Sequence, residues 1–243
     1  MSFPLKEQAL QVIYDLYDRE ARRFPVACRQ ECSTCCTHNV LATTLEVAHT
    51  FEEFTEDRLQ ELATPVPPNS WEGGLRPQLT VNHLAGYCLL KKEPPAESLT
   101  RSAAPCPFRN AHGCGIYETR PFACRSMWSR RVCPPDGKAE MPALLVTLNG
   151  AIFQILEHLD AKGLYGNLLD LFELFDDSDV RAAYEAGEEL EATASLLKTQ
   201  PNPGFIVPPE HRQDIARVIG TLWSCDVGGL SFREALSQLR PGH

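Results

Sequence analysis

The sequence predicts a mainly α protein in which irregular cysteine-rich loops pack on a helical body. Three observations carry that expectation. Apolar residues recur at helical spacing through most of the chain. Eight of the ten cysteines fall in two groups, Cys28-Cys32-Cys35-Cys36 and Cys106-Cys114-Cys124-Cys133. The second group is threaded with proline and glycine, which interrupt regular structure.

Taken in order, Leu5 to Phe24 places Leu5, Ala9, Val12, Ile13, Leu16 and Tyr17 on one helical face that runs up to Pro25. Asn39 to Ala42 reads as a short extended piece. Thr43, Thr44 and Glu46 then form a capping box that opens a helix reaching about Leu62 or Ala63. A breaker-rich connector follows, with Pro65, Pro67, Pro68, Gly73, Gly74 and Pro77, and Trp71 is expected to pin it to the core. Val81 to Leu90 fits either a strand or a helical turn. Beyond the second cysteine group, Leu144, Leu145, Leu148, Ile152, Ile155, Leu156 and Leu159 define a strongly amphipathic helix from Pro142. Further helices are expected over Leu168–Phe175, Ser178–Glu188, Leu190–Leu197, Glu210–Trp223 and Ser231–Leu239, the last opened by a Ser231/Glu234 capping box. Residues 1–140 thus read as a cysteine-cluster region and 141–243 as a helical C-terminal region, packed together as one compact unit.

The formal charge of −9 argues against a general nucleic-acid or anionic-membrane surface. It is unevenly spread. Glu157 to Lys198 holds eleven acidic against three basic residues, which reads as solvated helix faces. Arg101 to Lys138 holds seven basic against two acidic residues, coincident with the second cysteine group. The N-terminal stretch mixes Lys6, Glu7, Asp15, Asp18 and Glu20 with apolar residues, so neither a signal peptide nor a membrane span is expected, and the cytoplasm is the expected location.

A chain of this size needs no disulfides to hold its core, and a reducing compartment favours thiolates as metal ligands. Cys32-Ser33-Thr34-Cys35 has the two-residue spacing of a metal knuckle. Eight thiols suffice for two four-thiolate sites or one polynuclear centre. Adjacent side chains such as Cys35 and Cys36 diverge in regular backbone, so they do not readily serve one tetrahedral ion together. The alternatives are an extracellular disulfide framework or reduced cysteines that merely fill space.

The linked motifs Cys32-Ser33-Thr34-Cys35-Cys36, Cys106-Pro107-Phe108, Cys114-Gly115-Ile116-Tyr117-Glu118 and Arg120-Pro121-Phe122-Ala123-Cys124-Arg125 resemble the CxxCxxCC cysteine-cluster family (YkgJ-like), a zinc- or iron-chelating domain. The resemblance covers roughly Cys28 to Cys133 and implies metal chelation by these cysteines. Cys28 departs from the pattern, with three residues rather than two before Cys32, and is the least secure ligand.

All-thiolate ligation suits an iron–sulfur cluster or Zn2+; the vicinal pair, the loose spacings and the Cys106-Pro107 and Cys133-Pro134 steps favour iron and sulfur slightly. Tyr117, Arg120 and Arg125 are the non-cysteine candidates, either supporting metal-bound sulfur or gripping an anionic substrate. His38 and His112 read as turn residues near the site, and Cys88 and Cys225 as buried small hydrophobes. No phosphate-binding glycine loop, nucleophile elbow or dinucleotide fingerprint is present. Three classes of function follow. The first is a metalloenzyme modifying a peptide, protein or small metabolite; the others are a structural metal fold that binds a partner and a metal or redox sensor.

Overall fold

Helix α1 (Phe3–Ala21) has Pro4 in its first turn, where a missing N–H costs no intrahelical bond, and it buries Leu10, Ile13, Tyr14, Leu16 and Tyr17 completely. The structure is a computed structural model that describes residues 1–52, 74–97, 99–134 and 138–239. Strand β1 (Leu41–Thr43) and helix α2 (Thr44–Glu52) follow the first cysteine segment. The predicted capping box forms: the Thr43 N–H donates to Glu46 at 2.9 Å, and the Glu46 N–H donates to the Thr43 hydroxyl at 3.4 Å. The expected continuation of α2 to Leu62 or Ala63, and the connector residues Pro65, Pro67, Pro68, Trp71 and Gly73, lie outside the described residues.

The ambiguous apolar run becomes helix α3 (Val81–Leu89), because the buried Thr80 side chain accepts the His83 N–H at 3.1 Å and starts the helix. Strands β2 (Arg109–Asn110) and β3 (Gly113–Cys114) make a minimal hairpin, and helix α4 (Phe122–Arg125) follows. The long apolar helix is α5 (Ala143–Leu159). It leads into β4 (Leu164–Asn167), α6 (Leu168–Phe175), α7 (Ser178–Glu185) and β5 (Leu196–Lys198). A 3-10 turn at Pro209–His211 opens α8 (Arg212–Ser224). Strands β6 (Asp226–Val227) and β7 (Leu230–Ser231) then form a hairpin before α9 (Phe232–Ser237), which carries the predicted Ser231/Glu234 capping box. Among the described residues the architecture is mainly helical, and no helix is long and apolar enough to cross a membrane.

The helix expected over Leu190–Leu197 does not form. The Thr193 hydroxyl accepts the Ser195 and Leu196 N–H groups in a tight turn, and Leu196 to Lys198 instead pair with β4. The resulting antiparallel sheet has the order β1-β4-β5, with Ala42 opposite Gly166 and Tyr165 opposite Leu197. A strand from the first 140 residues is thereby joined to strands from the rest. Helix α1 packs on α5 and α8, and α2 packs on α6. Phe122 is the central ring of the core: it meets Tyr17 at 4.7 Å and Phe153 at 4.8 Å, both edge-to-face, and is fully buried.

Buried polar groups fix how these elements meet. Asp160 accepts the Thr44 hydroxyl at 2.6 Å and the Leu45 N–H at 3.2 Å, which draws the start of α2 onto the end of α5. Gly163 has to be glycine there, because a Cβ would stand 2.2 Å from the Thr44 hydroxyl oxygen and 2.4 Å from the Asp160 carboxylate. Glu157 accepts the backbone N–H groups of Asn82 and Gln200, each at 2.7 Å, and so pins α3 and the strand-like segment after β5 to α5.

Burial pushes the Glu157 carboxyl up to about 7 from an ordinary 4.5. Because the folded protein holds this proton more tightly than the unfolded chain, the associated stability is complete below about pH 4.5 and is lost as the pH rises through about 7. In urea denaturation, the stability of the wild type relative to Glu157→Gln is therefore expected to fall by about 3 kcal/mol between about pH 4 and pH 8. A difference that does not change with pH would show that folding leaves the Glu157 carboxyl unshifted.

Candidate metal centre

The first cysteine group lies between α1 and β1, where residues 22–40 contain no helix and only the isolated Thr37–Pro105 bridge. Contacts with the second group hold this segment in place. The Ala27 N–H donates to the Ser129 carbonyl at 2.7 Å, and the Cys106 N–H donates to the Cys36 carbonyl at 3.0 Å. Asn39 exchanges two hydrogen bonds with the Ser102 backbone, at 2.7 and 2.9 Å. At the β2–β3 hairpin, Gly113 has a φ of +117°, and a Cβ there would stand 2.6 Å from the Gln30 carbonyl oxygen. Only glycine lets the hairpin seat this closely against the loop between Cys28 and Cys32.

These contacts bring together cysteines that are far apart in sequence. Cys36 lies near Cys106, Cys114 and Cys124, and Cys124 lies near Cys106, Cys114 and Cys35. On the other side, Cys28 is near Cys32, Cys35 and Cys133. All eight predicted cysteines therefore belong to one neighbourhood, Cys28 included. All ten cysteines of the chain are free thiols.

Backbone N–H groups point at several of the sulfurs, as they do around knuckle-type thiolate ligands. The Ser129 N–H reaches Cys28 Sγ at 3.3 Å. The Phe108 N–H lies on the side of Cys106 and the Ile116 N–H on the side of Cys114, while the Arg109 N–H donates to the Cys106 carbonyl at 3.1 Å. Burial nevertheless keeps most of these thiols protonated: it raises Cys28 and Cys114, pushes Cys106 up to about 11, and lifts Cys124 far above the ordinary thiol range. Cys36 is the exception. A hydrogen bond from the Cys35 thiol lowers it, and the same bond raises Cys35.

The structure separates the two arginines. Arg120 lies over the Tyr117 ring at 3.7 Å, donates to the Tyr117 carbonyl, and places its charge near Cys114 and Cys124. Tyr117 thus serves as the platform for Arg120. Arg125 is buried and turned toward α1: it donates to Asp18 at 2.8 Å and to the Glu118 carbonyl at 2.7 Å, with its guanidinium 4.3 Å from the Tyr14 ring centre. His38 is tied through its backbone to Ala104 and to the Asn167 side chain, and His112 is exposed at the tip of the β2–β3 hairpin. Cys88 is exposed on α3 and Cys225 is half-buried at the end of α8, so neither is the fully buried small hydrophobe expected. Sequence reasoning missed Ser129, Gly113 and Asp18. Of these only Gly113, lying between two turn residues and a cysteine, left a local signal.

Among the described residues, no three His, Cys, Asp or Glu side chains are already placed so as to hold a metal ion. The donor chemistry fits a soft metal all the same: thiols supply the ligands, and N–H groups and Arg120 are arranged to support thiolates. Deprotonation would have to accompany any binding, since protonated thiols do not ligate.

Arg125→Gln is expected to cost about 2–3 kcal/mol in urea denaturation, because Asp18 and a buried carbonyl lose their partner. Arg120→Gln should stay within about 1 kcal/mol of wild type yet slow alkylation of Cys114 at neutral pH, read by mass spectrometry, as the nearby positive charge is lost. Equal destabilisation by both variants would refute this division.

No family model matches this chain, no curated protein matches it, and no solved structure matches it.

Proposed function

We propose that this chain is a metal-binding protein whose clustered cysteine thiolates hold an iron–sulfur cluster or zinc, with iron–sulfur the favoured of the two. One observation carries the reading: two cysteine groups separated by Thr37 to Pro105 fold into a single neighbourhood lined with sulfur-facing N–H groups. The motif resemblance to the CxxCxxCC family is in keeping with it. In this reading, the cysteine segments are metal-binding loops packed on the helical body, and the protein works in a reducing compartment such as the cytoplasm.

Cys28, Cys32, Cys35, Cys36, Cys106, Cys114, Cys124 and Cys133 would provide the ligands. The N–H groups of Phe108, Ile116 and Ser129 would hold the sulfurs in their charged form, and Arg120 would offset part of the negative charge. An iron–sulfur cluster would supply electron transfer or Lewis acidity, whereas zinc would supply structural order. The surface position of Cys32 and Cys35 leaves one edge of the centre open to a peptide, protein or small-molecule substrate, which favours the metalloenzyme and sensor readings over a purely structural metal.

Protein purified without oxygen is expected to contain tightly bound metal. An iron–sulfur centre would show brown thiolate-to-iron absorption, and zinc would be colourless and detected by elemental analysis. Replacing Cys32, Cys35, Cys114 or Cys124 by Ser should lower metal content, while Cys225→Ala should not. Chelation should lower the melting temperature, since a ligand of the native state stabilises it. Protein that is metal-free as isolated and keeps its melting temperature and helix content after exhaustive chelation would overturn the proposal.

A further inference from the structure

The cysteine segments carry a charge opposite to that of the rest of the chain. Residues 22–40 and 101–140, which contain all eight clustered cysteines, hold ten basic and four acidic residues, whereas the remainder holds thirteen basic and twenty-eight acidic. A protein of formal charge −9 thus concentrates positive charge around its exposed sulfurs. The chain leaving α1 runs beside the chain leaving α4 there. The Ala27 N–H donates to the Ser129 carbonyl at 2.7 Å, and the Ser129 N–H reaches Cys28 Sγ at 3.3 Å. The Cys32 N–H donates to the Arg29 carbonyl at 3.0 Å, which keeps Arg29 within one turn of the exposed Cys32. Along this seam Val26, Met127 and Val132 are 42%, 42% and 82% exposed, interspersed with exposed Arg29, Arg130 and Arg131.

We propose that this face is a docking surface for an acidic protein segment bearing aliphatic side chains, and that it brings that segment to Cys32 and Cys35. The proposal deepens the metal-binding reading by naming a substrate class, and it rests on that reading only for the chemistry that follows docking.

The charges of the face are unbalanced in detail as well as in sum. Its carboxylates are each shared between two arginines: Glu140 meets Arg130 at 3.0 Å and Arg131 at 3.5 Å, and Glu20 meets Arg23 at 2.7 Å and Arg217 at 3.0 Å. Among the described residues Arg22 and Arg29 make no ion pair, and the exposed Glu31 is the carboxylate left to oppose them. Two residues before Val26, Phe24 lines a cavity of about 250 Å³ with Leu144, Leu148, Ile215 and Val218, so the face offers an apolar well beside its charges. Free guanidinium groups next to exposed aliphatic side chains match a ligand that carries both carboxylates and apolar groups. Nucleic acid matches less well. The large hydrophobics exposed on this face are aliphatic, and Trp128 is half-buried with its indole N–H donated to the Arg125 carbonyl at 3.0 Å, so no ring is presented for bases to stack on. The acidic remainder of the chain also repels a polyanion.

The test is fluorescence anisotropy of the full-length protein, purified without oxygen, with a fluorescein-labelled synthetic peptide of glutamates and leucines. Matched probes replace its glutamates by lysine or its leucines by serine, and a labelled oligouridylate stands for RNA. The glutamate–leucine peptide is expected to bind and to weaken about tenfold or more as salt is raised from about 0.05 M to about 0.5 M. The lysine peptide should not bind, and the serine peptide should bind about tenfold more weakly. Arg29→Glu and Arg131→Glu should each weaken binding about tenfold or more, and Val132→Ser about threefold; all three positions are exposed, and circular dichroism should show an unchanged fold. Arg233→Glu should change nothing, because α9 follows the β6–β7 hairpin that packs beside Leu5, at the end of α1 opposite Arg22. No binding of the glutamate–leucine peptide, equal binding of the lysine peptide, tighter binding of oligouridylate, or full affinity in both Arg29→Glu and Arg131→Glu would each overturn the proposal. Failure to dock in protein that holds metal would sink the docking surface alone, whereas docking by protein that takes up no metal would sink the metal-binding reading and leave the surface standing.

Discussion

The carboxylate of Glu46 accepts the Phe122 N–H at 2.6 Å, the Thr43 N–H at 2.9 Å and the Tyr14 hydroxyl at 3.1 Å. One buried side chain thereby joins α1, the start of α2 and the start of α4. Burial raises its carboxyl while the hydrogen bonds oppose that shift, so its partners are what make the position tolerable for a carboxylate. The consequence reaches the cysteines directly. Phe122 is the first residue of α4 and the hub of the aromatic core, and Cys124 is the third. Anchoring the Phe122 backbone therefore sets where Cys124 stands relative to Cys106 and Cys114.

A second set of constraints comes from the C-terminal half and acts on the chain that flanks the cysteine segments. Asn167 in β4 donates to the His38 carbonyl at 2.7 Å and to the Leu75 carbonyl at 3.1 Å, which fixes the chain just beyond Cys36. β1 pairs with β4, and Asp160 receives Thr44 and Leu45. Arg76 forms a two-pronged pair with Asp170 at 2.8 Å. The helical half thus anchors the chain on either side of β1, while contacts between the cysteine segments hold those segments together.

Electrostatics explains why so many thiols tolerate one another. As thiolates they would repel at close range in a partly buried setting, and the protons they keep remove that repulsion. A divalent ion or an iron–sulfur core, if bound as proposed, would take over the neutralising role of those protons, and metal loading would then release them.

The amphipathic helices were legible in the sequence because a 3.6-residue apolar period is a local property: α1, α5, α6 and α8 appear where that period placed them. The Thr43/Glu46 and Ser231/Glu234 caps were legible for the same reason. The eight cysteines announced themselves by type and spacing. Tertiary structure alone decided the rest. Pairing with β4 made Leu196 to Lys198 a strand where a helix was expected, and Glu157 took the Asn82 N–H at the start of α3. Arg120 went to the sulfurs and Arg125 to Asp18, although both lie in the same motif. Most of all, the approach of the two cysteine segments to one another could not be read along the chain, because it follows from non-local contacts. The Cys106–Cys36 backbone bond, the seat of Gly113 on Gln30 and the Ala27–Ser129 bond join residues that no local pattern relates.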